Sequence, residues 1–309
     1  MQIATGIGYV KQRPTPQESG ILILGVGMIG GSLAAALKQQ GYPGVIRGSD
    51  VREEELVLGQ QMGLIDSGDT DPLTQLDGIS MIVLCVPVMA IGPLIERLAP
   101  HVADRDIVVT DVGSSKSVIR DAVVASMGYL PSWLVLGHPI SGAEHTGVAA
   151  ADPERYVAHK VILTPELQTA ERYVERVAAV WEAAGAEVVT MSVERHDDIL
   201  ARTSHLPHLL AFSLVDTLAR QDEGLDIFRY AAGGFRDFTR IAGSDPVMWR
   251  DIFLGNRDAV LSALDDFEAG LARLRRAIEE GDAESLHAIF QCASQARHHF
   301  QTLLNQTTS

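Results

Sequence analysis

Residues 21–30, Ile21-Leu22-Ile23-Leu24-Gly25-Val26-Gly27-Met28-Ile29-Gly30, decide how this chain is read. Four apolar residues form a short buried strand, and the glycines that follow have the G-x-G-x-x-G spacing that opens a helix in a dinucleotide-binding unit. Gly25 permits the tight turn, Gly27 lets the backbone approach a pyrophosphate, and Gly30 lets the helix pack close to the strand. The helix start, with Met28 and Ile29 in its first turn, offers unpaired N–H groups and a partial positive charge to phosphates. About twenty residues beyond Gly30, Asp50 ends the next predicted strand, where a carboxylate can accept the ribose hydroxyls and repel a 2′-phosphate. This favours NAD over NADP, although Arg47 and Arg52 lie near enough to soften the repulsion. An earlier Gly6-Ile7-Gly8 lacks a preceding strand and receives no function.

Outward from this turn, β-rich runs over 45–49, 81–86, 107–110, 134–136 and 161–163 alternate with helical patterns over 32–40, 53–62, 91–98 and 117–127. Strand and helix in alternation predict a mostly parallel, doubly wound Rossmann-type sheet covered on both faces. Val86 and Pro87, at the end of one such strand, are expected to touch the cofactor. A last helix-to-strand unit runs from 167 to 191, after which strand patterns stop and long amphipathic helices take over. The expected organisation is an N-terminal arm (1–19), a nucleotide-binding domain (20–191) and an all-α domain (192–309). In the latter, Val260, Leu264, Phe267, Leu271, Leu274 and Ile278 recur at spacings of four and three, the narrow seam of a helix packed lengthwise on another. That seam is either an intramolecular bundle core or part of a dimer interface. Asp282 is placed to cap the last helix.

Composition agrees with a globular chain of about two domains: 309 residues, 46% hydrophobic and 21% charged. Lys and Arg total 25 against 40 Asp and Glu, and the net charge of −15, with no basic cluster, argues against a nucleic-acid partner. Two distant cysteines, Cys85 and Cys292, each in an apolar-periodic segment, predict reduced core thiols in a cytoplasmic protein and leave no four-cysteine metal site. The uncharged stretch 21–37 resembles a membrane segment only superficially, being interrupted by Gly25, Gly27, Gly30 and Gly31 and short of the roughly 20 residues needed to span a bilayer. No metal and no membrane association are expected.

A dinucleotide site does not name a reaction. Three further clusters carry the chemistry. Thr110-Asp111-Val112-Gly113-Ser114-Ser115-Lys116 places serine hydroxyls and a lysine at a helix start, where a serine also serves as an ordinary N-cap. Gly137-His138-Pro139 puts a histidine at the carboxyl end of a strand, a candidate general base because its unperturbed pKa near 6.5 leaves it mostly neutral at pH 7. Ser204-His205-Leu206-Pro207-His208 interrupts a helical pattern. Beyond it, Arg236 and Arg240 lie one helical turn apart, either as a carboxylate-binding face or as surface partners of Asp237, Asp245 or Asp251.

These residues resemble the prephenate and arogenate dehydrogenases of tyrosine biosynthesis, in the linked segments GVGMIGGSLA (25–34), DVGSSK (111–116), GHPISGAE (137–144), ERHD (194–197), TSHLPH (203–208) and GFRDFTRIAGSDPVMW (234–249). The resemblance covers about 21–267 and implies a dinucleotide-binding domain followed by a helical dimerisation domain. It implies that His138 is catalytic, with Ser114 bonded to it and to the substrate's ring hydroxyl. His205 and His208 of the SHLPH motif, Arg240, Trp249, Glu144 and Arg236 then fall to substrate binding, Arg236 standing where relatives often carry lysine. The implied reaction is NAD-dependent oxidative decarboxylation of prephenate to 4-hydroxyphenylpyruvate by a homodimer. The chain's length leaves no expected room for a chorismate mutase or ACT domain. Arogenate, or both substrates, is the nearest alternative. More distant ones are a β-hydroxyacid dehydrogenase or imine reductase, and a non-enzymatic dinucleotide sensor. The former is disfavoured because no lysine follows Lys160.

Overall fold

A computed structural model describes residues 20–142, 146–221 and 224–307. The expected N-terminal arm and Glu144 lie outside the described residues. Six strands, β1 (Gly20–Leu24), β2 (Ile46–Ser49), β3 (Ser67–Asp69), β4 (Ile79–Leu84), β5 (Val108–Asp111) and β6 (Leu134–Val135), form one sheet in the order β3-β2-β1-β4-β5-β6. Every pairing in it is parallel. Four helices, α1 (Met28–Gln39), α2 (Glu53–Gln61), α3 (Val88–Val102) and α4 (Ser117–Met127), connect these strands. β1 is buried throughout and β4 everywhere but Ser80, which is why they read as apolar runs rather than alternating ones.

The alternation pattern did not show that the sheet ends at β6. One residue later the chain enters β7 (Gly137–Pro139), which pairs antiparallel with β8 (Lys160–Leu163), and β8 pairs parallel with β9 (Glu187–Thr190) across α5 (Glu171–Ala183). The expected continuation of a single sheet is therefore corrected to a second, three-stranded one. The reason lies at Gly137, whose N–H donates to Asp111 Oδ1 at 3.1 Å and whose carbonyl accepts from Lys116 Nζ at 2.5 Å. Side chains thus take the backbone groups that another strand would have used. The short β3, too polar to be picked out by pattern, is the other addition.

After β9 the chain is helical: α6 (Val193–Leu200), a π-helical turn (Ala201–His205), α7 (Leu206–Ala219), α8 (Gly233–Thr239), α9 (Pro246–Gly255), α10 (Arg257–Glu280) and α11 (Ala283–Thr307). The interruption expected at 204–208 is this π turn within a continuous helix. Its wider winding accommodates Pro207, which lacks the N–H an α-helix interior requires. Asp245 caps α9 through Met248 N at 2.7 Å, with Pro246 in the first turn, and Asp282 Oδ1 accepts from Ser285 N at 3.0 Å.

The seam on α10 divides. Val260 is buried with Ala201 and Ala263, whereas Leu271 and Ile278 are 54% and 66% exposed. Among the described residues nothing covers these far positions. Cys292, on α11, is exposed, which corrects the expectation of a core thiol, while Cys85 at the end of β4 is half-buried. Apolar periodicity at Cys292 marks a helix face that stays exposed among the described residues. Among the described residues no helix is long and apolar enough to cross a membrane.

Candidate active site

The strand order reverses between β1 and β4, so the loops after these two strands flank a crevice at the carboxyl edge of the sheet. A cavity of about 330 Å³ opens there, lined by Gly25, Gly27, Asp50, Arg52, Val86 and Pro87 among others. Gly25 has φ of +90°, and a Cβ on it would run into the Cys85 carbonyl. Nothing lies within 4 Å of where a Gly27 side chain would begin. Gly27 is the N-cap of α1, no side chain caps that helix, and no acidic residue occupies its first turn. Met28 and Ile29 form that turn, and the Ile29 carbonyl accepts from Tyr156 Oη at 2.7 Å.

Asp50 Oδ2 accepts from Val26 N at 2.9 Å and Oδ1 from Arg52 N at 3.0 Å, which ties the carboxylate to the rim of the crevice. The two arginines nearby behave differently. Arg47 is turned away, bonding the carbonyls of Gln75 and Asp77 at 2.9 and 2.7 Å. Arg52 stands 3.8 Å from Asp50 but pairs more closely with Glu55, at 2.9 Å. An open backbone cradle, an uncapped helix start and an acidic corner fit a dinucleotide with free ribose hydroxyls.

Beside the carboxyl end of β5, where Gly137 N–H meets Asp111, β7 presents His138. Its Nδ1 lies 2.9 Å from His196 Nε2, and His196 Nδ1 lies 2.7 Å from Asp197 Oδ1. His196 and Asp197 belong to α6, so the helical part of the chain supplies them. The Asp197 carboxylate also accepts from Lys116 N and Ser117 N, each at 2.9 Å, and from Ser117 Oγ at 2.5 Å. It thereby caps α4 and clasps the two parts of the molecule together. Burial pushes its pKa up, but the hydrogen bonds from His196, Ser117 and Lys116 N outweigh this and hold it at about 2. Burial, with His196, Lys116 and His205 nearby, holds the His138 pKa well below 6.5. A neutral imidazole is equipped to take a proton.

Beneath His138, Lys116 is wholly buried rather than facing the crevice. It pairs with Asp111 and bonds the Gly137 carbonyl, so its charge braces the strand that carries the histidine. Ser114 lies half-buried two residues before Lys116, and its hydroxyl makes no hydrogen bond among the described residues.

The helical part adds an aromatic wall. His205, in the π turn, is buried, and its Nδ1 is 3.2 Å from Asn256 Nδ2, which also donates to the Asp197 carbonyl at 2.8 Å. A carbonyl only accepts, so the amide nitrogen faces both groups; His205 Nδ1 is therefore an acceptor and its proton sits on Nε2. Burial is the main reason the His205 pKa falls to about 4, with Asp197 opposing and His196 and His208 adding to the fall. His208 stacks on Trp249 with ring centroids 3.7 Å apart, and His205 meets the same indole edge-on at 6.0 Å. Trp249 is buried, yet its Nε1 has no hydrogen-bond partner among the described residues, leaving a donor for a ligand.

The structure thus brings together Gly25, Gly27, Asp50, Val86 and Pro87 at the crevice, with Gly30 buried behind them against Gly25 and Ile23, and His138, His205, His208 and Trp249 through Asp197 and its neighbours. Arg240 opens a 3₁₀ turn (Arg240–Gly243) that packs with α8 against α7, the helix of His208. Arg236 is at the surface, its side chain 81% exposed and 3.4 Å from Asp237. Sequence reading assigned no role to His196, Asp197 or Asn256. A His-Asp pair at the start of the first helix after the last strand was the available signal for two of them. Asn256 carried none.

Comparison with known proteins agrees with this arrangement. The family models described as the nucleotide-binding domain and the dimerization domain of prephenate dehydrogenase match residues 33–190 and 192–292. The chain is 36% identical to a prephenate dehydrogenase of Bacillus subtilis, over 90% of this chain and 75% of that one. It is equally 36% identical to a cyclohexadienyl dehydrogenase of Zymomonas mobilis, over 90% and 94%. Its fold superposes with a TM-score of 0.82, at 38% identity over 91% and 98% of the chains, on a prephenate dehydrogenase from A. aeolicus in complex with hydroxyphenyl propionate and NAD+. By its two matched domains and its identity to these relatives over most of its length, the chain belongs to the prephenate dehydrogenase family.

Proposed function

We propose that this protein oxidatively decarboxylates prephenate to 4-hydroxyphenylpyruvate with NAD⁺ as hydride acceptor. The observation that carries the reading is His138, held neutral and oriented by His196 and Asp197, on a strand tied to the carboxyl end of β5 in the dinucleotide-binding sheet. Prephenate has a nonaromatic ring with a hydroxyl and a carboxylate on opposite carbons. NAD⁺, when bound, accepts the hydride from the hydroxyl-bearing carbon. The bond between the opposite ring carbon and its carboxylate then breaks, carbon dioxide leaves, and the electron pair of that bond enters the ring and makes it aromatic. Aromatisation drives the reaction, so the protein's task is orientation and one well-placed base.

His138 polarises or takes the proton of the ring hydroxyl and returns it to the phenolic product. Ser114, whose hydroxyl is uncommitted within the described residues, orients the same oxygen. His205 offers Nε2–H as a neutral donor, Trp249 offers Nε1–H, and Arg240 holds a carboxylate of the dianion. Asp50, with Arg47 turned away, favours NAD over NADP. The uncovered half of the α10 seam supports a homodimer formed through the helical domain. The decisive experiment follows NADH absorbance with purified protein, supplying prephenate and, in parallel, arogenate. The second substrate is included because the cyclohexadienyl dehydrogenase is as similar as the prephenate dehydrogenase. NADH formation with prephenate is the expected result; its absence, with rapid turnover of arogenate, would move the assignment to that substrate.

A further inference from the structure

We propose that His196 is a positioning residue that locks His138 in the tautomer carrying its proton on Nδ1 and its lone pair on Nε2, with Asp197 as the fixed end of the relay. The proposal rests on the reading of His138 as the base, but its geometry stands apart from any reaction.

The direction of each hydrogen bond follows from what lies behind it. All four groups around the Asp197 carboxylate are N–H or O–H groups: Lys116 N, Ser117 N, Ser117 Oγ and His196 Nδ1. An ionised carboxylate only accepts, so His196 must donate through Nδ1. In neutral His196 this leaves a lone pair on Nε2, and two lone pairs cannot face each other across 2.9 Å. The bridging proton therefore belongs to His138 Nδ1. His138 Nε2 is then the unprotonated nitrogen, the one a base needs. A doubly protonated His196 would reverse this order, but burial, joined by the Lys116 charge, outweighs the pull of Asp197 and Asp111 and holds its pKa below 6.5.

Without His196, the His138 ring would be free to rotate and to move its proton to Nε2, the preferred site in a solvated imidazole. A donor would then replace the base. The relay also crosses the molecule: His138 stands on β7, and both residues that orient it stand on α6. The base is completed only when the helical domain is docked.

The test uses full-length protein labelled with ¹⁵N-histidine, in which long-range ¹⁵N–¹H correlations report the tautomer of each ring and His138→Asn assigns the His138 signals. Expected for the wild type is a protonated Nδ1 and an unprotonated Nε2 at His138. His196→Ala should give a tautomer mixture and lower kcat by about 10²-fold, with KM for prephenate and NAD⁺ within about twofold. His196→Gln, which keeps an acceptor for the Nδ1 proton, should restore the tautomer and most of kcat. A wild-type His138 protonated on Nε2 overturns the proposal whatever the variants do. So does an unchanged His138 spectrum in His196→Ala, or equal losses of kcat with Ala and Gln. The wild-type spectrum needs no variant to fold and no turnover. A failed base assignment would show separately, as near-normal kcat in His138→Asn.

Discussion

His138 Nδ1 and His196 Nε2 lie 2.9 Å apart, joining a strand of the nucleotide-binding part to the first helix of the other. Behind this contact, Asp197 binds His196 with one oxygen and the start of α4 with both. The backbone carbonyl of the same residue aligns Asn256, and through it His205. One acidic residue therefore sets the proton position on two histidines of the site.

His138→Asn is expected to lower kcat by about 10²–10⁴-fold while leaving the Kd for NAD⁺ unchanged, read by steady-state rates and a cofactor titration. The base works when neutral, so a lowered pKa extends activity toward acid. Burial, His196, Lys116 and His205 all push the His138 pKa down. The acid limb of kcat/KM should thus lie below pH 6.5; a limb above that value would contradict the environment described.

Arg240→Ala should raise KM for prephenate by tenfold or more, since a hydrogen bond to a charged group contributes about 1.5–3 kcal/mol. Arg236→Ala should have a much smaller effect, its side chain being 81% exposed and already beside Asp237. An unchanged KM in Arg240→Ala removes that arginine from carboxylate binding.

Asp50→Asn should weaken NAD⁺ about tenfold, or about 1.4 kcal/mol, and narrow its advantage over NADP⁺. Arg47→Ala should leave that ratio alone, because the guanidinium is committed to the Gln75 and Asp77 carbonyls. Isothermal titration with both cofactors separates the two effects.

Lys116→Met should destabilise the fold by about 3–5 kcal/mol, the usual cost of leaving one member of a buried ion pair alone. Asp111 would keep, among the described residues, the Gly113 and Gly137 N–H groups. The urea midpoint is the measurement, and a change below 1 kcal/mol would show that the pair adds nothing.

Leu271→Glu should shift the protein toward monomer in sedimentation velocity, because a half-exposed seam leucine gains a charge where a second copy is proposed to pack. Unaltered sedimentation would place the interface elsewhere.

By itself the sequence determined the nucleotide-binding architecture, because its information is local: a strand, three glycines at fixed spacing and an acidic residue at the next strand end. Periodicity likewise marked α10 and its seam, and the strand-end position singled out His138 as the candidate base. What only the tertiary structure decided were relations between segments distant along the chain. Lys116 was legible only as a lysine at a helix start and is buried against Asp111, where it holds Gly137 in place. Arg47 and Arg52 looked alike around Asp50, and only one remains beside it. His196 and Asp197 occupy one short motif whose partners lie some 60 to 80 residues away. No helical or strand period encodes such pairings. They arise when the packing of α6 onto β7 and α4 removes water and obliges each buried polar group to find a partner.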